Sequence, residues 1–187
     1  NVPFGACTAT ASPEKLKKIH EGMSFHATGI SILKPTNRAN LFYGVRPIEG
    51  NGLGHKDLEF LIPKAKPGQI LNISLIPKTL LYIDNKQDAP KIADELRLLL
   101  PLELRVRPIR PTAWNGDPRS QAEVIKTGKS RIMIATSAWG LGINDKDVER
   151  VIQWGIRRLD NLDTLVQRFG RCARDPNKQG VCILFTE

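Results

Sequence analysis

From Thr79 onward the chain alternates short, predominantly apolar runs with stretches of helical period. Leu80–Ile83, Ile132–Ala135, Val151–Trp154 and Val181–Phe185 are apolar runs of strand length, as expected for strands covered on both faces. Between the first two, Ala89, Ile92, Ala93, Leu96 and Leu100 fall on one helical face. Pro90 suits only the first turn of that helix, where backbone N–H groups lack partners, and Pro101 ends it. Arg105–Ile109 reads as a further strand, Pro118–Lys126 as a helix and Leu162–Phe169 as another. Upstream, Ser12-Pro13 marks a helix start with Ser12 as N-cap. Leu41–Val45 reads as a strand, residues 57–62 as one or two helical turns, and the glycine-rich Gly50–Gly54 as a loop.

Strands alternating with helices imply right-handed crossovers and a mostly parallel sheet, an α/β domain whose chemistry lies beyond the carboxyl ends of the strands. The 41% apolar share is enough for a core. With 28 Lys and Arg against 19 Asp and Glu, the formal charge is +9. That excess suits a polyanionic partner, because each neutralised phosphate releases counterions, and it also serves solubility. No apolar run spans a bilayer and no signal peptide opens the chain, so no membrane partner is expected. Cys7, Cys172 and Cys182 form no CxxC pair, and the three histidines are scattered, so neither a disulfide framework nor a metal site is expected. The opening Asn1 and the strand-like Val2–Thr10 hint at a piece of a longer protein.

The richest segment is Gln167-Arg168-Phe169-Gly170-Arg171-Cys172-Ala173-Arg174-Asp175. On a helix at about 100° per residue, Leu162, Leu165, Val166 and Phe169 share one face, with Gln167, Arg171 and Arg174 opposite and Gly170 beside them. Two aligned guanidiniums match phosphate oxygens, and Gly170 leaves room for a close approach. The same residues also fit a solvated basic face paired with Asp175. After Ile132–Ala135 comes Thr136-Ser137-Ala138-Trp139-Gly140-Leu141-Gly142-Ile143-Asn144, either a phosphate-binding loop of exposed N–H groups or a tight glycine turn. Asp84-Asn85-Lys86 ends another strand, with Asp84 or Asn85 as a helix N-cap. Arg105, Arg107 and Arg110 read as a solvated edge or a basic stripe, and Trp154 as core.

These segments resemble the motifs of superfamily 2 helicases, and of RecQ-like DNA helicases in particular, with fungal members the most similar. The stretch from Gln167 is similar to motif VI, Q-x-x-G-R-x-G-R, with Ala173 where the family usually has its second Gly. Ala135–Asn144 is similar to motif V, A-T-x-A-F-G-M-G-I-N, with Trp139 for Phe and Leu141 for Met. Thr8-Ala9-Thr10-Ala11 resembles motif III, Leu80–Lys86 motif IV, and Arg38-Ala39-Asn40 the R-P-N stretch that opens the second motor domain, without its Pro.

The resemblance implies a three-layer RecA-like domain without its own Walker motifs: residues 1–34 the end of a first RecA-like domain and linker, 35–187 the second. It further implies arginine fingers at Arg171 and Arg174, with Gln167 ordering the site and Asn144 and Gly170 beside ATP. Thr136, Ser137, Trp139, Asn85 and Lys86 would touch the nucleic-acid backbone. The chain holds no G-x-x-x-x-G-K-[ST] and no D-E-x-[HD], so ATP and Mg2+ would be bound mainly by the first domain, and this chain alone would be inactive. The implied activity is ATP-dependent 3′-to-5′ DNA unwinding, in the nucleus of a eukaryote, with DNA and the first RecA-like domain as partners. An RNA helicase or DNA translocase of the superfamily, or a non-catalytic nucleic-acid-binding scaffold, are the alternatives.

Overall fold

The computed structural model describes residues 4–8, 10–26, 28–35, 37–50, 55–64, 71–105, 109–111, 130–136 and 145–187. The chain divides into two compact units, Asn1–Ala39 and Asn40–Glu187. In the first, α1 (Pro13–Gly22) begins as its sequence predicts, with the Ser12 hydroxyl accepting from the Lys15 N–H. Its neighbour Phe25 stacks on Phe4 at 5.2 Å.

The second unit is built on one six-stranded sheet whose pairings are all parallel. In chain order its strands are β1 (Leu41–Pro47), β2 (Thr79–Ile83), β3 (Ile109–Pro111), β4 (Ile132–Ala135), β5 (Arg150–Trp154) and β6 (Gly180–Thr186), and in space they run β1-β6-β5-β2-β4-β3. Alternation sorts the strand side chains onto two faces. Leu81, Ile83, Ile132, Ile134, Ile152, Trp154, Ile183 and Phe185 face one core, shared with α2 (His55–Leu58), α3 (Asp88–Leu98) and the segments around Leu61 and Ile76. Leu80, Tyr82, Met133, Ala135, Val151 and Cys182 face the other, covered by α4 (Leu162–Phe169) and the turn after it. Central strands are buried on both sides, which is why they read as unbroken apolar runs. Trp154 lies in the core, 5.0 Å from Phe185. Among the described residues no helix is long and apolar enough to cross a membrane.

Two sequence expectations are corrected. The strand expected at Arg105–Ile109 begins at Ile109. Arg105 instead closes the end of α3: its guanidinium donates to the carbonyls of Leu100 (2.9 Å) and Leu98 (3.0 Å), so the residue is bound to the helix end rather than to the sheet. The helix carrying Gln167 stops at Phe169 instead of running to Arg174. Beyond it Ala173 takes a left-handed φ of 38° and gives its N–H to the Val148 carbonyl at 2.7 Å, bending the chain back toward β6. The helix expected at Pro118–Lys126 lies outside the described residues.

Candidate nucleotide and nucleic-acid interface

Helix α4 starts at Asn161, whose side chain accepts from the Thr164 N–H at 2.8 Å. Its buried residues are Leu165, Arg168 and Phe169, whereas Leu162 is 70% and Val166 38% exposed. The apolar face is therefore narrower than periodicity alone predicts, and an arginine completes it. Arg168 reaches under the helix to the sheet. Its Nη2 donates to Asp84 Oδ1 at 2.7 Å and its Nη1 to Asp84 Oδ2 at 3.2 Å and to Gln153 Oε1. Gln153 in turn donates from Nε2 to Asp84 Oδ2 (3.0 Å) and to the Gly155 carbonyl (2.9 Å). The Arg168 guanidinium lies 4.9 Å from the centre of the Tyr82 ring. Tyr82 and Gln153 are register partners on β2 and β5, so they share the face beneath α4.

Gln167 and Arg174 are exposed, and Gly170 and Arg171 are half-buried. Burial pushes the Tyr82 phenol above its ordinary pKa, and the positive charges of Arg171, Arg168 and Arg174 oppose that shift. The Tyr82 hydroxyl itself is buried and has no hydrogen-bond partner among the described residues. The arrangement concentrates fixed positive charge at one end of α4, suited to an anionic group of high charge density.

The turn that carries these arginines is clamped from below. Asn40 Nδ2 donates to the carbonyls of Lys178 (2.7 Å) and Ala173 (3.0 Å). The Asn40 carbonyl accepts from the Gly180 N–H at 2.9 Å. Lys178 also pairs with Asp147, a contact that draws the Asp147 carboxyl below its ordinary range. Cys172 and Ala173 are buried against Gly180.

At the carboxyl edge of the sheet, Asn85 shapes the turn into α3. Its Oδ1 accepts from the Gln87 N–H (3.3 Å) and its Nδ2 donates to Asp88 (2.6 Å), so Asn85 organises the helix entry while Gln87 occupies the N-cap. Asn85 lines a cleft of about 520 Å³ together with Asp84, Trp154, Gly155, Arg157 and Arg158. Lys86 is exposed. Thr136 follows β4 and is half-buried; Ser137, Trp139 and Asn144 lie outside the described residues. The next described stretch is anchored by Lys78, whose buried ammonium meets Asp145 at 3.5 Å. The structure thus gathers Arg171 and Arg174 around α4, and sets Asn85 and Lys86 at the β2 tip. Among the described residues no cluster of His, Cys, Asp or Glu could hold a metal ion.

Sequence reasoning missed Asn40, Asp84, Gln153 and Arg168 as the supports of this site. One signal was present: Gln153 interrupts the apolar run Val151–Trp154, and a polar residue at a buried strand position needs a partner.

Residues 65–176 match the helicase conserved C-terminal domain. The chain is 28% identical over 179 residues to an ATP-dependent RNA helicase of Acanthamoeba polyphaga mimivirus, covering 95% of this chain and 29% of that protein. It is 27% identical over 189 residues to the ATP-dependent DNA helicase Q-like 2 of Arabidopsis thaliana, covering 98% and 24%. The chain therefore spans about a quarter of the length of these relatives. The crystal structure of the yeast DEAD-box splicing factor Prp28 superposes with a TM-score of 0.62 at 20% identity, over 95% of this chain and 36% of that one. The parallel sheet and its two helical layers are those of a RecA-like helicase lobe. The family match extends over more than half of the sequence, and the chain belongs to the helicase conserved C-terminal domain family as the C-terminal domain of a superfamily 2 helicase.

Proposed function

We propose that this chain is the second motor lobe of an ATP-dependent, RecQ-like DNA helicase that moves 3′ to 5′, in the nucleus if the organism is a eukaryote and otherwise inside the cell. The reading rests on the segment Gln167–Arg174, in which Arg171 and Arg174 lie just past the end of α4 beside the anchored Arg168. Arg168 is consumed by Asp84 and Gln153, and Arg171 and Arg174 lie on the turn that follows. In the whole protein they would face ATP held, with Mg2+, by a first RecA-like lobe, of which residues 1–34 form the end. ATP supplies the phosphoanhydride whose cleavage drives motion. Arg171 and Arg174 would neutralise charge on its terminal phosphate, Gln167 would order the site, and Gly170 and Asn144 would border it.

Asn85, Lys86, Thr136, Ser137 and Trp139 would grip one strand at the carboxyl edge of the sheet. Backbone contacts of this kind carry no sequence information, as a translocating motor requires. The DNA helicase Q-like 2 of Arabidopsis thaliana and the ATP-dependent DNA helicase hus2/rqh1 of Schizosaccharomyces pombe, both 27% identical, support the choice of DNA. The viral RNA helicase, 28% identical, favours the second reading, an RNA helicase with the same arginines.

The test is ATP turnover by the full-length protein with single-stranded DNA or RNA added. Arg174→Ala should lower the stimulated rate by a factor on the order of 10³ or more while leaving nucleic-acid affinity within a few fold. Unchanged turnover removes the finger role. Stronger stimulation by RNA than by DNA favours the second reading, and no turnover with either makes the protein a nucleic-acid-binding scaffold.

A further inference from the structure

The buried triangle of Asp84, Gln153 and Arg168 lies outside both the phosphate-facing and the strand-gripping residues, yet it joins them. Asp84 immediately precedes Asn85 and Lys86 at the tip of β2. Arg168 lies between Gln167 and the turn bearing Arg171 and Arg174. The side chain of Arg168 is 6% exposed and that of Asp84 10%. Every corner of the triangle is bonded to the other two: Arg168 to both Asp84 oxygens and to Gln153, and Gln153 to Asp84.

An ion pair so deeply desolvated is poorly explained as a source of stability, since apolar residues of similar volume would fill the space at no greater cost. What it supplies is direction. Leu165 and Phe169 hold α4 against the sheet through non-directional contacts, which tolerate small slides and rotations. A bidentate carboxylate–guanidinium pair tolerates neither. Gln153 adds a third fixed point, because its amide is itself oriented by the Gly155 carbonyl. Beneath them the Tyr82 ring carries the guanidinium on its face.

We propose that Asp84, through Arg168 and Gln153, is a positioning residue that sets the height and rotation of the arginine-bearing turn 170–174 relative to the β2 tip. Motion of the tip is then transmitted to the arginines as a rigid-body shift. This rests on the motor reading above, but its test separates the two.

The full-length protein and its Asp84→Asn and Arg168→Lys variants are compared by amide hydrogen exchange and by nucleic-acid-stimulated ATP turnover. The expected result is exchange about tenfold faster across residues 169–175, with β2 and β5 protected as before. Stimulated kcat falls by about tenfold, and nucleic-acid affinity stays within twofold. A loss of structure alone would accelerate exchange in β2 and β5 as well. Unaltered exchange in residues 169–175 of the folded variants overturns the proposal, whatever the turnover. If Asp84→Asn does not fold, Arg168→Lys decides, because it keeps the charge and removes only the fork. A wild-type protein without ATP turnover sinks the motor reading, while the exchange comparison still decides the positioning role.

Discussion

Asn40 and Ala173, 133 residues apart, are joined by a 3.0 Å hydrogen bond from the Asn40 amide to the Ala173 carbonyl. The same amide donates to the Lys178 carbonyl at 2.7 Å, and so ties both ends of the loop that follows the arginine-bearing turn. Asn40→Ala removes this donor from the carbonyls of Ala173, Asp175 and Lys178 and should cost about 1–3 kcal/mol. Asn40→Asp, nearly the same shape, should cost at least as much, since it sets a carboxylate against carbonyl oxygens. Urea unfolding checks both, with a lowered midpoint expected at unchanged slope. An Asp variant as stable as wild type would mean that this amide is not a donor to the loop.

Gly180 opens β6 at a point where no side chain fits. A Cβ there would stand 2.5 Å from Cys172 Sγ, 2.8 Å from Ala173 Cβ and 3.0 Å from Leu41 Cδ2. Cys172 and Ala173 are buried and cannot yield without moving the turn that carries Arg171 and Arg174. Gly180→Ala should therefore destabilise by about 1–3 kcal/mol, the usual cost of overpacking. Cys172→Ala removes the nearest obstructing atom, so the double variant should recover part of the loss. The check is a double-mutant cycle by chemical denaturation, and strictly additive effects would show that the sulfur is not the obstacle.

The sheet was legible because its strands are covered on both faces: Ile132–Ala135 has the bounds the apolar run predicts, and Leu162–Phe169 coincides with α4. Legibility failed where side chains replace backbone pairing. Arg105 reads as part of a strand until its bonds to Leu98 and Leu100 are seen, because arginine capping of a helix end leaves no period in the sequence. Treating Gln167–Arg174 as one helix gave the arginines a common face. The left-handed turn at Ala173 breaks that face, and the resemblance already pointed there by placing a glycine at this position. Arg168 was hidden for a different reason. Its partners Asp84 and Gln153 are distant in sequence, and the 3.6-residue period assigns an arginine to solvent by default.

Tyr82 offers a test by pH. Its phenol is buried without a hydrogen-bond partner among the described residues, and burial raises its pKa against the pull of Arg171, Arg168 and Arg174. A tyrosine in the unfolded chain ionises near pH ~10. The stability tied to the buried proton is therefore fully present below that pH and is lost as pH rises from there through the higher folded value. Tyr82→Phe removes the titrating group but keeps the ring beneath Arg168. Near neutrality it should leave stability unchanged or raise it by about 1 kcal/mol, since an unpaired hydroxyl is no longer buried. Above pH ~10 it should lose stability more slowly than wild type. Parallel alkaline curves for the two proteins would show that the Tyr82 hydroxyl is solvated or paired.

Salt separates the residues read as strand contacts from those read as facing the nucleotide. With a formal charge of +9, binding to single-stranded DNA should weaken steeply with ionic strength, because the released counterions carry the affinity. Each phosphate contact on a single strand contributes about 0.7 to the magnitude of the slope of log K against log salt concentration. Lys86 is exposed beside the cleft residue Asn85, at the tip of β2. Lys86→Ala should therefore reduce the slope by roughly that amount and weaken binding to all sequences alike. Arg174→Ala should leave the slope as it is, because a guanidinium that meets ATP releases no counterions from DNA. The measurement is a fluorescence-anisotropy titration of a labelled oligonucleotide with full-length protein at several salt concentrations, without nucleotide. If the slope falls with Arg174→Ala and not with Lys86→Ala, the two roles are reversed, and the strand runs past α4 rather than along the carboxyl edge of the sheet.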